Sequence, residues 1–267
     1  GMGANHADAQ IMSEAVMTRA DYPLAVLAPS PNFGPRPEDQ PVDMLILHYT
    51  GMPDDDQALA WLQNPKSQVS SHYFVHQDGE VLQLVAESAR AWHAGLSNWH
   101  GGSDINSRSV GIELANPGHN HGYHAFAEAQ LDAVSDLCRH IIKRHRIAPE
   151  HVLAHSDIAP ERKEDPGELF PWADMAEKGI GHHVPPEPLG DGRFFQTGDQ
   201  GEPVAALQAM FRLYGYGCPQ SGHFCEVTAA VVRAFQRHFR PVRVDGIADQ
   251  STIATLHRLL AMLKPQA

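Results

Sequence analysis

The sequence predicts an α/β (α+β) protein in which strands and helices form a larger N-terminal part, followed by a small three-helix domain. Residues 44–47 form a continuous apolar run, and residues 109–116 follow as a second strand of the same buried kind. Between residues 125 and 145 the apolar side chains recur at helical spacing, which predicts a long amphipathic helix. At 267 residues the chain is long enough for two domains.

The pattern of polar, apolar and helix- or strand-breaking residues predicts an arm, a strand and a short helix in the first 64 residues. Residues 2–40 are polar and rich in proline, so we expect an N-terminal arm over residues 1–20 and little regular structure before the first strand. Residues 43–50 predict that strand, with His48 near its end. Residues 54–64 predict a short helix that begins at an aspartate and stops before a proline.

A hairpin and a second buried strand come next. Residues 72–77 and 80–85 flank an Asp-Gly dipeptide, which is typical of a two-residue hairpin turn. Residues 92–108 are rich in glycine, serine and asparagine and predict a loop. Residues 109–116 then predict a strand that carries a carboxylate, Glu113, near its end.

The end of the N-terminal part contains the most unusual loop of the chain. After the long helix, residues 151–154 predict a strand that leads into an irregular loop over residues 155–167. This loop contains an imidazole, a carboxylate and a lysine, and loops at strand ends commonly carry functional groups. A short helix is predicted at residues 172–178.

The C-terminal part is predicted to be a separate helical domain. Proline and glycine with few apolar residues mark a linker, placed at residues 181–194, between a catalytic domain at 21–180 and a domain at 195–267. Three helices in the last domain are indicated by apolar residues at helical spacing: Val204, Leu207 and Phe211; Ala230, Val231 and Phe235; Ile253, Leu256 and Leu259.

Composition and targeting patterns exclude several classes of protein. A net charge of −12 argues against nucleic acid as a partner, and three cysteines exclude a disulfide scaffold. Cys218 and Cys225 either form a disulfide or remain free thiols; both alternatives stay open. We find neither a transmembrane run nor a secretory signal, so we expect a cytoplasmic protein if Met2 is the native start, and a periplasmic or envelope-associated one otherwise.

Three residues form a candidate metal site. Zinc binds neutral imidazole nitrogens and carboxylate oxygens in a tetrahedron, and a catalytic zinc leaves one position open. His48, His155 and Asp165 supply such a set, and the two histidines follow strands that are predicted to be neighbours in one sheet. The alternative is that each is a hydrogen-bonded or surface histidine, since the chain contains 18 histidines.

Two further residues are candidates for catalysis. Glu113 lies on an apolar strand, where an unpaired carboxylate is costly to bury, and it suits a general base for an attacking water. Lys163 suits a group that stabilises an oxyanion. The alternatives are a solvent-facing glutamate on an edge strand and a solvated charged loop.

Six motifs, in this order along the chain, resemble those of the zinc-dependent N-acetylmuramoyl-L-alanine amidases of the type 2 family. The resemblance covers roughly residues 20–180. The motifs are Leu45-Ile-Leu-His48-Tyr, Ser71-His72-Tyr-Phe-Val, Asp78-Gly79, Ala91-Trp92-His93-Ala-Gly95, Val110-Gly-Ile-Glu113 and the long segment from His155 through Lys163 and Asp165 to Gly167.

The resemblance implies a fold, a cofactor and a set of roles. It implies a central mixed β-sheet flanked by helices, with Zn²⁺ bound in a surface cleft by His48, His155 and Asp165. It also implies that Glu113 is the catalytic acid and base and that Lys163 supports the transition state. Along the substrate groove we place Tyr49, Trp92, His93 and Asn116.

The C-terminal part resembles the three-helix peptidoglycan-binding module of cell-wall hydrolases. The most characteristic pieces are Val244-Asp-Gly-Ile247 and Phe235-Gln236. The alternative is a helical appendage without a ligand.

The sequence therefore predicts hydrolysis of the amide between N-acetylmuramic acid and L-alanine, which releases stem peptide. The expected partner is peptidoglycan or an anhydromuropeptide, and the expected state is a monomer. One rival is a peptidoglycan recognition protein that does not cleave. A second rival, a zinc peptidase, is disfavoured because the chain has no His-Glu-x-x-His motif.

Overall fold

A six-stranded mixed sheet carries the predicted site residues. The computed structural model describes residues 17–263. Its strands are β1 (Val26–Leu27), β2 (Phe33–Pro35), β3 (Met44–Tyr49), β4 (Tyr73–Val75), β5 (Val81–Gln83), β6 (Ala89–Ala91), β7 (Ser109–Leu114) and β8 (Val152–Ala154). The main sheet has the order β1-β5-β4-β7-β3-β8, and within it only the β4–β5 hairpin pair is antiparallel. The predicted fold class is confirmed.

The register of the central strands brings the site residues together. β3 pairs in parallel with β7, and His48 lies directly beside Glu113. On the other side of β3, Leu47 pairs with Ala154, so His155 follows at the same edge of the sheet. Because the carboxyl ends of parallel strands lie at one edge of the sheet, His48, Glu113 and His155 lie close together although they are distant in the chain.

Helices lie on both faces of this sheet. They are α1 (Asp55–Leu62), α2 (Glu128–His145), α3 (His155–Ile158) and α4 (Trp172–Glu177). The long helix α2 buries Val134, Leu137 and Ile141 in a cluster with Leu45 and Leu47 of β3. Because side chains alternate along a strand, the remaining β3 residues face the opposite side.

The C-terminal helices pack on that opposite side. They are α5 (Glu202–Tyr214), α6 (Glu226–Phe239) and α7 (Gln250–Ala261); residues 195–263 are called the C-terminal module below. Met44 and Ile46 of β3 belong to the same hydrophobic cluster as Phe211 and Phe235 of the module. The core of the module is thus continuous with the core of the N-terminal part.

Several expectations need correction or fall outside the described residues. Residues 1–16 of the predicted arm lie outside them, and β1 and β2 form in residues 21–40, where little regular structure was expected. β2 pairs with β6, and Pro35 is tolerated as the last residue of this short edge strand. The predicted irregular loop opens with one helical turn, α3. All three cysteines are free thiols, and within residues 17–263 no helix has the length and apolarity needed to cross a bilayer.

Candidate metal centre and active-site cavity

A cavity of about 380 Å³ opens beside the carboxyl ends of β3 and β7. Its wall contains acidic, basic and aromatic groups together. Seven of the nine predicted site residues line it, namely Tyr49, Trp92, His93, Glu113, His155, Lys163 and Asp165. The remaining two, His48 and Asn116, are buried beside it.

The three predicted metal ligands converge. Nδ1 of His48 lies 3.0 Å from Nδ1 of His155 and 3.3 Å from Oδ2 of Asp165, and the His155–Asp165 pair is 3.1 Å apart. All three residues are buried. Two imidazole nitrogens and one carboxylate oxygen in a closed triangle are the donor set that zinc takes in proteins.

The hydrogen bonds made by the Nε2 atoms of His48 and His155 determine which ring nitrogen of each histidine carries the hydrogen. Nε2 of His155 lies 3.0 Å from the carbonyl oxygen of Ala94, which only accepts, so this nitrogen is the donor and Nδ1 holds a lone pair. On the other ligand, Nε2 of His48 lies 2.9 Å from Nδ1 of His93. The role of that nitrogen depends on what His93 does with its second nitrogen.

A serine settles the tautomer of His93. The Ser109 hydroxyl donates to the carbonyl oxygen of Ile105 at 2.7 Å, so its oxygen accepts from Nε2 of His93 at 2.9 Å. Nδ1 of His93 must then accept from Nε2 of His48, which leaves a lone pair on Nδ1 of His48. We call the series Ser109–His93–His48 the histidine relay.

The protonation states in the triangle suit a bound cation. Burial and the neighbouring His155 lower the pKa of His48 to about 4, so this imidazole is neutral near pH 7. Although burial raises the pKa of Asp165, the adjacent His155 and His48 hold it well below its usual range. The two Nδ1 atoms and the carboxylate oxygen converge on one point, and with the tautomers assigned above they form a donor set that fits a metal ion.

Burial and neighbouring charges also act on Glu113. Its Oε2 is buried and has no hydrogen-bond partner among residues 17–263. Burial, and then the negative Asp165, raise the pKa of Glu113 well above its ordinary value, while Lys163 acts in the opposite direction. A carboxyl group that is unpartnered and easily protonated beside a cavity has the properties of a general acid and base.

The predicted groove residues have different surroundings. Tyr49, Trp92 and His93 line the cavity, and His93 is only 8% exposed and also bonds to His48. The Asn116 side chain does not line it: Nδ2 donates to the carbonyl oxygen of His124 at 2.9 Å, and Oδ1 accepts from the Gly118 N–H at 3.0 Å. Asn116 thus shapes the turn that follows β7.

His119 of that turn was not singled out from the sequence, although it lines the cavity. Its Nδ1 lies 2.9 Å from the Tyr49 hydroxyl, its Nε2 lies 2.9 Å from Glu168, and its ring stacks on Tyr123. The only signal in the sequence was a turn with three histidines, and their spacing does not indicate which one faces the cavity.

Comparison with known proteins gives two family matches. Residues 38–168 match the model of the N-acetylmuramoyl-L-alanine amidases, and residues 200–256 match that of a peptidoglycan binding domain. The N-acetylmuramoyl-L-alanine amidase AmiD of Escherichia coli is 40% identical, with 82% of each chain covered. The 1,6-anhydro-N-acetylmuramyl-L-alanine amidase AmpD of Escherichia coli is 32% identical over 54% of this chain and 86% of its own.

Solved structures agree with these matches. Escherichia coli AmiD in complex with the substrate anhydro-N-acetylmuramic acid-L-Ala-D-γ-Glu-L-Lys has a TM-score of 0.69 at 36% identity, covering 85% of this chain and 92% of that one. Pseudomonas aeruginosa AmpDh3 in complex with anhydromuramic pentapeptide has a TM-score of 0.66 at 30% identity, covering 81% of this chain and 90% of that one. The likeness to both spans the N-terminal part and the module.

Proposed function

Since the chain belongs to the N-acetylmuramoyl-L-alanine amidase family, we propose that it hydrolyses the amide between N-acetylmuramic acid and L-alanine and releases the stem peptide. The substrate is peptidoglycan or a muropeptide derived from it. The observation that carries the proposal is the convergence of His48, His155 and Asp165 beside Glu113, whose buried Oε2 has no hydrogen-bond partner among residues 17–263.

We assign the metal as Zn²⁺ and the ligands as Nδ1 of His48, Nδ1 of His155 and Oδ2 of Asp165. When bound there, zinc would polarise the scissile carbonyl and acidify a water. Glu113 takes the proton from the attacking water and returns it to the leaving amine, which its raised pKa permits. Lys163, across the same cavity, offsets the negative charge that develops on the carbonyl oxygen.

The remaining site residues position or contact the substrate. Trp92 and Tyr49 offer aromatic surface to the sugar and the stem peptide. His93, first placed in the groove, is assigned to hold the tautomer of His48, and Asn116 to hold the turn that carries His119.

The domain organisation is proposed with the predicted boundaries: the catalytic domain at 21–180, the linker at 181–194 and the module at 195–267. The two family matches fall inside these ranges. The module is proposed to hold the enzyme near wall material. The state is proposed to be a monomer.

The test is mass spectrometry of the products from two substrates, intact sacculi and a purified anhydromuramyl-peptide. The zinc-loaded protein is compared with the same protein stripped by a chelator and with the stripped protein after zinc is returned. We expect free stem peptide from both substrates, loss of release after stripping and recovery on reloading. Release from neither substrate, with fragment binding retained, would identify a recognition protein instead.

A further inference from the structure

A buried carboxylate joins the C-terminal module to the turn that carries a proposed metal ligand. Asp157, two residues after His155, has no exposed surface. Its Oδ1 accepts from the Tyr216 hydroxyl at 2.6 Å, and its Oδ2 accepts from Nδ1 of His238 at 2.6 Å and from the Ala154 N–H at 2.8 Å. Burial of a carboxylate is costly unless donors surround it, and the module supplies two of these three donors.

Both donors from the module are held rigidly. The ring of His238 stacks on Trp172 of α4, with centroids 3.9 Å apart, and on its neighbour Phe239 at 3.7 Å. The ring of Tyr216 packs edge-on against Trp99 at 4.9 Å. Because packing fixes these rings, the donors stay in place without further ordering of side chains.

The turn that Asp157 anchors touches two of the three ligands. Its acceptance of the Ala154 N–H sets the start of α3, and His155 is the first residue of that helix. The next residue, Ser156, donates its N–H to the carbonyl oxygen of Asp165 at 3.1 Å. A displacement of this turn would therefore move both His155 and Asp165.

The module reaches His155 by a second route as well. The loop that supplies the Ala94 carbonyl to Nε2 of His155 also carries Trp99 and His100. The His100 N–H donates to the carbonyl oxygen of Gly215 at 2.8 Å. A Cβ atom at Gly215 would lie 2.3 Å from the Trp99 ring, so only glycine permits this contact.

We propose that the C-terminal module is a positioning element of the metal centre as well as a wall-binding domain. Tyr216 and His238 act as positioning residues: they hold Asp157, Asp157 holds the α3 turn, and the turn holds His155 and Asp165. The inference rests on the metal role proposed for His155. A module that served only as a tether would have no effect on metal affinity.

Two tyrosines in the same interface provide a matched test. The Tyr214 hydroxyl bonds to Nδ1 of His182 at 2.7 Å and not to Asp157, and both tyrosines are buried. In the full-length protein, Tyr216→Phe should raise the zinc dissociation constant about tenfold, as expected for a partner behind a metal ligand, whereas Tyr214→Phe should change it less than about twofold. The constants are measured by chelator competition, and the absorption spectrum of the Co²⁺-loaded protein should change for Tyr216→Phe alone.

A second pair of substitutions, at His238, distinguishes the effect of its hydrogen-bond donor from the effect of its ring. His238→Asn keeps a side-chain N–H near the position of Nδ1, and His238→Phe keeps the ring without the donor. We expect near-normal zinc affinity from the first and weakened affinity from the second, with metal-free melting temperatures as the control for folding. Equal zinc affinities for the wild type, Tyr216→Phe and His238→Phe would overturn the proposal. If His155→Ala also leaves zinc binding unchanged, the ligand assignment itself has failed and not only the coupling.

Discussion

Replacing Ser109 with alanine tests the histidine relay at its far end, away from the metal. The Ser109 hydroxyl accepts from Nε2 of His93 at 2.9 Å, and this bond places the His93 hydrogen on the side away from His48. Without that acceptor the other tautomer of His93 becomes favourable. Nδ1 of His93 then carries the hydrogen and faces Nε2 of His48, so the hydrogen of His48 moves to Nδ1, the atom that should bind zinc.

The expected change in the zinc dissociation constant depends on whether the metal-free or the zinc-bound protein can adopt the second tautomer. The metal-free protein can adopt the second tautomer, since the hydrogen on Nδ1 of His48 then points at Asp165, 3.3 Å away. The zinc-bound protein cannot adopt it and must leave Nε2–H of His93 buried without an acceptor, which costs about 1–3 kcal/mol. At about 1.4 kcal/mol for each factor of ten, the zinc dissociation constant should rise roughly 5- to 150-fold. The bond from Ser109 to the Ile105 carbonyl oxygen is lost with and without zinc, so it cancels in the dissociation constant and should lower the stability of the metal-free protein by only about 0.5–1.5 kcal/mol.

Ser107→Ala is the matched control. Ser107 is also buried, but its hydroxyl donates to Asp104 and accepts from Arg90, and it makes no bond to His93. Chelator competition gives the two zinc dissociation constants, and thermal melting in excess chelator gives the two metal-free stabilities. If both substitutions weaken zinc binding equally, or if Ser109→Ala lowers only the metal-free stability, the relay does not set the tautomer of His48.

Three further predictions concern the same face of the sheet. Glu113→Gln should lower turnover by about 10²- to 10⁴-fold, the usual contribution of a general base, while metal analysis finds zinc still bound. Gly111→Ala should weaken zinc binding, because the new Cβ would lie 2.6 Å from the His93 ring, whereas Gly34→Ala, with open space around it, should not. Burial, and then the adjacent Arg36, lower the pKa of His72 to about 3 in the folded state, so the unfolded chain binds more protons below pH 6.5. The unfolding free energy of the metal-free protein should therefore fall on acidification from pH 6.5 to 4.5, with a slope for this histidine that rises to at most about 1.4 kcal/mol per pH unit, and urea titrations should show a shallower fall in His72→Gln.

The sequence predicted the main elements of the site because they depend on short-range patterns. The strand that ends at His48 is a continuous apolar run, and parallel pairing with β7 then places Glu113 beside it. The long helix α2 follows from its apolar spacing and ends at Arg146, which adopts a left-handed conformation. The edge strands β1 and β2 were missed because two or three residues carry too little periodicity to be recognised.

Relations between side chains that are distant in the chain could not be predicted in this way. The bond from His93 to His48 spans 45 residues and the bond from Tyr216 to Asp157 spans 59. Each depends on the final packing of rings and not on any local spacing. His93 was placed along the substrate groove from the family resemblance; its ring lines the cavity, and nothing in the sequence indicated that it also bonds to His48.

The cavity shows how burial affects three neighbouring groups differently. Burial lowers the pKa of His48 and raises that of Glu113, because in each case it disfavours the charged form. The result is a neutral imidazole that can bind a metal and a carboxyl group that can hold a proton. Asp165 is buried to a similar extent, yet the two imidazoles beside it keep its pKa low and its carboxylate ionised. The protonation of each carboxyl group therefore depends on its partners more than on residue type. Asp165 has two histidines beside it, whereas Oε2 of Glu113 has no hydrogen-bond partner in the described part of the chain and remains available to exchange a proton.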